Sequence, residues 1–284
     1  MITGTRYRMT LEVNRQLTLA REIDRAQTEI STGKRIQGPS DDPVAAARVS
    51  DLARAQADGA AWTLNVQTAA ATSSRADNAL KAVGTALDRA KELMLAGSNS
   101  TLSDGNRATL ALELRSIAEE IASLQGEKDA RGQPLFAEAA LEIPVGPGLT
   151  VRAVGTRAEV FGAVDTAAGP QDIVAIVNAA AAALEIADPA VRGPAVQASV
   201  AEVDAASTHI AAARGEQGAR GNRIDNLVER LAATGLVYEE ERSGLESSNI
   251  MEVVARLQSR QLNLQAAQAA FARTNQSTLF DLLR

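Results

Sequence analysis

His209, in the run His209-Ile210-Ala211-Ala212-Ala213, is the one histidine of the chain. It is therefore the one side chain with an ordinary pKa suited to proton transfer near neutral pH. A general base also needs a nucleophile or water held by a second group, and no such partner stands beside it. It reads as an ordinary helix-face histidine. Asp41-Asp42 could offer hard oxygens to a cation, but the pair directly precedes Pro43 and reads more simply as a helix cap. Arg214, Arg220 and Arg223 lie close along one stretch and fit a solvated face or ion pairs between subunits better than an anion site. Glu239-Glu240-Glu241 reads as a solvated face. The glycine-rich centre holds neither G-x-G-x-x-G before a helix nor a P-loop, so it carries no phosphate cradle. No catalytic, cofactor or metal residues are expected.

Composition narrows the field further. Without cysteine there are no disulfides, thiolate zinc sites, iron–sulfur clusters or thiol nucleophiles. A single histidine excludes a multi-histidine metal site. The net charge of −6 argues against nucleic acid as a partner. The N-terminal text MITGTRYRMTLEVNRQLTLA lacks the apolar run of a secretory signal. The small-residue run Asn178 to Leu184 is too short to span a bilayer. Neither a cleaved signal nor a membrane is expected. Only Lys34, Lys81, Lys91 and Lys128 among the 29 basic residues are lysine, a bias that nothing in the sequence explains.

Alanine supplies 57 residues, while aromatic residues are 2% of the chain. Alanine favours helix and lets helices approach closely, which suggests long thin helices. The prolines sharpen this into a layout. Pro39 and Pro43 form one group; Pro134, Pro144, Pro147, Pro170, Pro189 and Pro194 form another. Proline costs about 3 kcal/mol inside a helix, so the proline-free stretches Val44–Gln133 and Ala195–Arg284 should hold the long helices.

The first helix is expected from Met9 to Thr32, with Met9, Val13, Leu17, Ala20, Ile23, Ala26 and Ile30 on one stripe. Gly33 suits the C′ position, and Lys34 and Arg35 suit the negative end of the dipole. Asp42 as cap and Pro43 at N1 start a second helix that reaches about Ala96. Ser103-Asp104-Gly105-Asn106 opens a third, to about Leu124. Leu141–Val145 and Leu149–Val154 alternate by two around Gly146-Pro147-Gly148 and read as a hairpin or meander. Val160-Phe161 is expected to end a third short strand. Helix returns from Asp172 to about Ile186 and from Ala195 to about Arg242.

In the last helix Ile250, Val254, Leu257, Gln261, Leu264, Gln268 and Phe271 step by 4 and 3, a heptad seam with glutamine at two positions. Such a seam needs a partner, and the N-terminal stripe is the obvious one; the two stripes also read as ordinary core helices of one bundle. The expected fold class is mainly α. Long antiparallel helices carry paired N- and C-terminal coiled-coil helices and a small β-hairpin or meander insertion.

Three groups of residues carry a resemblance. The first is Ile30-Ser31-Thr32-Gly33-Lys34-Arg35-Ile36 with Gly38-Pro39-Ser40-Asp41-Asp42-Pro43-Val44-Ala45-Ala46-Ala47. The second is Gly218-Ala219-Arg220-Gly221-Asn222-Arg223-Ile224-Asp225. The third is the tail from Leu257, with Gln258, Gln261, Leu264-Gln265-Ala266 and Leu279-Phe280-Asp281-Leu282-Leu283. Together they resemble the flagellin superfamily, most like its hook–filament junction (FlgL) family of hook-associated proteins. The proline after the paired aspartates, the phenylalanine near the end and the small β-region Gly148–Phe161 point to that branch. Two departures stand out. Gly221 replaces a commonly larger residue, and the acidic segment usual before the C-terminal heptads is thinned to Glu246 and Glu252.

The resemblance implies a non-enzymatic structural subunit of the bacterial flagellum, an adaptor joining the hook to the filament; flagellin itself is the alternative. It implies copies of the chain in a ring, a hook-side junction protein of the FlgK type, flagellin, an export chaperone of the FlgN type and the flagellar export apparatus as partners. The implied location is extracellular, on the flagellum, reached without a cleaved signal. The expected domains are 1–35 with 248–284 as an inner tube, 36–127 with 171–247 as a helical body, and 128–170 as a β-rich outer insertion. The expected assembly residues fall in four sets. They are Met9, Val13, Leu17, Ala20, Ile23 and Ile30 on the first helix; Ser31, Gly33, Lys34, Arg35, Pro39, Ser40, Asp41, Asp42 and Pro43 in the turn; Gly218, Ala219, Arg220, Asn222 and Arg223 in the C-terminal signature; and Ile250, Val254, Leu257, Gln261, Leu264, Gln268, Phe271, Leu279 and Phe280 on the last helix.

Overall fold

The computed structural model describes residues 2 to 280 apart from 130 and 163, without the side chains of 2–6, 8 and 274–280. The expected assembly residues Leu279 and Phe280 therefore lie outside the described side chains. Among the described residues, seven helices and four short strands follow in the order α1 (Ile2–Thr32), α2 (Pro43–Gly97), α3 (Asp104–Gln125), β1 (Glu142–Gly146), β2 (Leu149–Arg152), α4 (Arg157–Phe161), β3 (Val164–Thr166), β4 (Gly169–Gln171), α5 (Ile173–Leu184), α6 (Pro189–Glu246) and α7 (Ile250–Phe280). The fold is mainly α with a small β insertion, as expected. No helix among the described residues is long and apolar enough to cross a membrane.

The chain divides into two compact units, Met1–Ala57 with Gly235–Arg284, and Asp58–Thr234. In the first, α1 packs along α7. Its buried apolar residues include Ile23, Ala26, Ala45, Leu52 and Val253.

The second unit holds the main core. Leu80, Val83, Leu87 and Met94 of α2 meet Leu114 and Ile121 of α3, Ile173, Ile176 and Leu184 of α5, and Val203 and Ile210 of α6. Alanines 76, 90, 111, 118, 180, 181 and 206 are buried among them, so small side chains let the helix axes close in without voids. Phe136 and Phe161, both buried, meet edge to face with ring centroids 4.8 Å apart. A smaller cluster joins Val66 and Ala69 of α2 to Val145 and Val151 of the hairpin and to Ile224 and Leu227 of α6.

Local chemistry sets the starts of these elements. Ser103 caps α3 by accepting from the Asn106 amide at 3.2 Å, and Asp172 caps α5 by accepting from the Val174 amide at 2.8 Å. β1 and β2 form the expected antiparallel hairpin, turned at Gly148 with φ +66°.

Three expectations fail. Val160-Phe161 ends a helix rather than a strand. Thr156 accepts from the Glu159 amide while Glu159 accepts from the Thr156 amide, a capping box that commits Arg157–Phe161 to α4. A second hairpin of three-residue strands, β3 and β4, follows it; strands so short show no alternation to read. Finally, α6 begins at Pro189, not Ala195, and carries Pro194 inside it. Pro194 sits in the second turn, where it forfeits a hydrogen bond close to the helix end rather than in mid-helix.

Candidate functional site

The chemistry-bearing residues of the first unit converge on the segment between α1 and α2. Gly33 ends α1 with φ +68° and donates its amide to the Glu29 carbonyl at 2.9 Å. The chain then pairs briefly with the end of α6. Arg35 donates its amide to the Glu246 carbonyl at 2.7 Å, and Ser248 donates its amide to the Gly33 carbonyl at 2.9 Å. Lys34 and Ser247 thereby form an isolated antiparallel bridge. Side chains repeat the stitch. Lys34 Nζ lies 2.9 Å from Glu246 Oε2, Arg242 Nε lies 3.3 Å from Glu246 Oε1, and Ser248 Oγ donates to Glu29 Oε1 at 2.6 Å. Lys34, and after it Arg242, hold the Glu246 carboxyl below the usual carboxylate range.

The paired aspartates have separate tasks, and both are structural. Asp41 Oδ2 accepts from the amides of Gln37 at 3.0 Å and Gly38 at 3.2 Å, and its other oxygen faces Arg25 at 2.7 Å. The Gln37 amide leads in lowering its pKa. The Asp41 amide in turn donates to the Gly38 carbonyl at 3.1 Å, closing a tight turn with Pro39 at its second position. Asp42 caps α2. Its Oδ1 accepts from the Ala45 amide at 3.0 Å, with Pro43 as the first helical residue. That amide leads in lowering the Asp42 pKa, and Arg35 at 3.4 Å adds to it. Ser31, Pro39 and Ser40 are exposed.

On α1, Ile23 is buried and Ala20 and Ile30 are half-buried, while Met9, Val13 and Leu17 are 49%, 41% and 49% exposed. On α7, Val254, Leu257, Leu264 and Phe271 are half-buried and Ile250 is 38% exposed. Gln261 and Gln268 are exposed in the single chain. The less exposed stripe passes instead through Val253, Leu257, Arg260, Leu264, Ala267 and Phe271. Arg260 pairs with Glu22 at 3.1 Å, and Arg256 lies 3.8 Å from Glu29. Both cations thus tie α7 to α1.

The C-terminal signature belongs to the second unit. Gly218, Ala219, Asn222 and Arg223 are exposed, and Arg220 pairs with Glu216 at 3.0 Å. The buried neighbour of the motif is Gln217, whose Nε2 donates to Ser73 Oγ and to the Ala153 carbonyl, each at 2.8 Å. Nothing in the residue spacing pointed to Gln217, because its partners are remote in sequence. His209 lies 3.1 Å from the Glu159 carbonyl oxygen, with no nucleophile among the described residues in hydrogen-bond contact.

Two family descriptions match. The bacterial flagellin N-terminal helical region matches residues 7–140, and the bacterial flagellin C-terminal helical region matches residues 200–283. The chain belongs to the flagellin superfamily. Among relatives, flagellar hook-associated protein 3 of Escherichia coli is 38% identical over 109 residues, 38% of this chain and 34% of that protein. The chain thus spans about a third of the length of the hook-associated relatives it matches. A flagellin of Halalkalibacterium halodurans is 24% identical over 92% of this chain and 91% of its own length. In fold, this flagellin relative resembles a hook-associated protein structure from Vibrio parahaemolyticus described as putative, with TM-score 0.65, 22% identity and coverage of 73% of this chain and 100% of that one. It also resembles a hook-associated protein 3 from Legionella pneumophila, with TM-score 0.62, 14% identity and coverage of 69% and 98%.

Proposed function

We propose that this chain is an adaptor of the hook–filament junction, forming a ring of identical copies between a hook-side junction protein and flagellin. The 109-residue match to hook-associated protein 3 carries the reading. The exposed apolar residues of the terminal pair support it. Tyr7, Met9, Leu11, Val13 and Leu17 of α1 and Leu262 of α7 are between 41% and 68% exposed, a concentration that calls for covering by neighbours. In the proposed assembly, 1–35 with 248–284 form the inner tube, 36–127 with 171–247 the helical body, and 128–170 the outer face. Isolated helices are marginal, so burial completed by other copies keeps the monomer loose enough for export through the flagellar apparatus with a FlgN-type chaperone. The subunit acts by assembly and not by catalysis, on the flagellum outside the cell.

Hook–basal-body–filament particles from a strain lacking the gene test this. Filaments should be shed and hooks left bare; filaments attached as normal overturn it. The near full-length match to a flagellin favours one alternative, the filament subunit itself. Abundance separates the two. A ring subunit is a minor component at one end of sheared flagella, whereas a flagellin dominates them.

A further inference from the structure

The second unit contains a recess of about 540 Å³. Leu95, Val196 and Val200 give its lining an apolar part, and Ser98, Asn99, Ser100 and Gln197 a polar one. Two arginines line it. The Arg107 side chain is 8% exposed and that of Arg192 14%.

Among the described residues, no carboxylate lines the recess. Asp104 is the carboxylate shared by both arginines, in contact with Arg107 and 3.9 Å from Arg192, yet its side chain is 89% exposed. Of the other nearby acids, Glu185 has a cationic partner, Arg115 at 2.8 Å, while Asp188 is bonded to a neutral amide, that of Ala190 at 2.9 Å, and keeps its charge. The remaining bonds of the two arginines go to neutral carbonyls, Leu102 for Arg107, and Ile186 and Ala187 for Arg192. Two nearly desolvated guanidinium groups thus have only carboxylates that stand in water, Asp104 and Asp188, to offset them, and a buried charge so weakly compensated is costly. The starts of α3 and α6 add to the same sign, since Arg107 lies in the first turns of α3 and Pro189 opens α6. Asn99 uses its side-chain oxygen to accept from Thr101, which leaves its amide nitrogen as a spare donor in the lining.

The geometry points to a binding site for a small organic anion, an oxyanion head held by Arg107 and Arg192 with a short apolar body on Leu95, Val196 and Val200. Guanidinium groups suit such heads through paired N–H donors.

Calorimetric titration of the full chain with phenyl phosphate, inorganic phosphate and phenol tests the site. Phenyl phosphate should bind saturably with a Kd below about 1 mM, phosphate several-fold more weakly, and phenol not at all. Arg192→Met should weaken phenyl phosphate by about tenfold or more. Because that change also removes bonds to the Ile186 and Ala187 carbonyls, Gln197→Glu is the second variant. Gln197 is exposed, so the fold should survive, while the new carboxylate places a negative charge in the recess lining. It should abolish phenyl phosphate binding and raise the melting temperature without ligand. The inference is overturned if neither anion binds saturably, if phenol binds as well as phenyl phosphate, or if Gln197→Glu leaves binding unchanged.

Discussion

Ser248 donates its amide to the carbonyl of Gly33 across 215 positions of sequence, at 2.9 Å. The bond joins the exit of α1 to the entry of α7, so the two terminal helices share one crossing point. That crossing rests on a backbone conformation with φ +68° at Gly33, where an added Cβ would meet nothing within 4 Å. Substitution there is a matter of backbone strain alone. Gly33→Ala should cost about 1–2 kcal/mol, read as a lower urea midpoint for the first unit. An unchanged midpoint would show that the turn relaxes freely.

Asp42→Ala should cost about 1 kcal/mol through loss of the α2 cap. Asp42→Asn should cost less, because an asparagine oxygen still accepts from the Ala45 amide. Equal losses would mean that the Arg35 pairing outweighs the cap.

The carboxyls of Asp41, Asp42 and Glu246 all have lowered pKa values in the folded chain. Such groups add stability above their unfolded pKa, near 4, and lose it as pH falls through the folded value. Melting temperature should therefore be flat from neutral pH to about 5 and fall below about 4. Asp41→Asn should lower the neutral-pH value and flatten the acid fall. A parallel fall in the variant would remove Asp41 from the cause.

Leu264→Asp places an unpaired charge on the α1-facing stripe of α7. It should block incorporation into isolated hook–filament particles while leaving the helical signal of the second unit intact. Deletion of Met1–Thr32 or Ile250–Arg284 should do the same. Incorporation of any of the three would refute the assembly role of the terminal pair.

Phe136→Ala removes the edge-to-face partner of Phe161 from a core otherwise poor in aromatic rings. A loss of about 3–5 kcal/mol is expected by urea denaturation. A loss below about 1 kcal/mol would mean that the surrounding alanine-rich helices collapse into the space.

Local signals were legible and remote ones were not. Asp42 before Pro43 announced its helix because cap and helix start are adjacent in the chain. The terminal pairing was legible because Leu257, Leu264 and Phe271 hold one spacing over two heptads. Those same residues fit two phases, however. Counting alone assigned Gln261 and Gln268 to the seam, while the single chain turns Arg260 and Ala267 that way. What decides between them is Glu22, 238 positions from Arg260, which receives its guanidinium. The apolar stem of arginine can line a contact while its head reaches a partner, and no count of hydrophobic positions registers that. Val160-Phe161 misled for a related reason. Two large apolar residues in a β-rich stretch look like strand, but Thr156 and Glu159 had already closed a capping box around the turn.

Gln217 has a consequence of its own. Its amide nitrogen meets Ser73 on α2 and the Ala153 carbonyl beside the hairpin, in a place sealed from water. A slip of α6 along α2 would strand this buried amide, so Gln217 notches the two long rods together and latches the small hairpin to both.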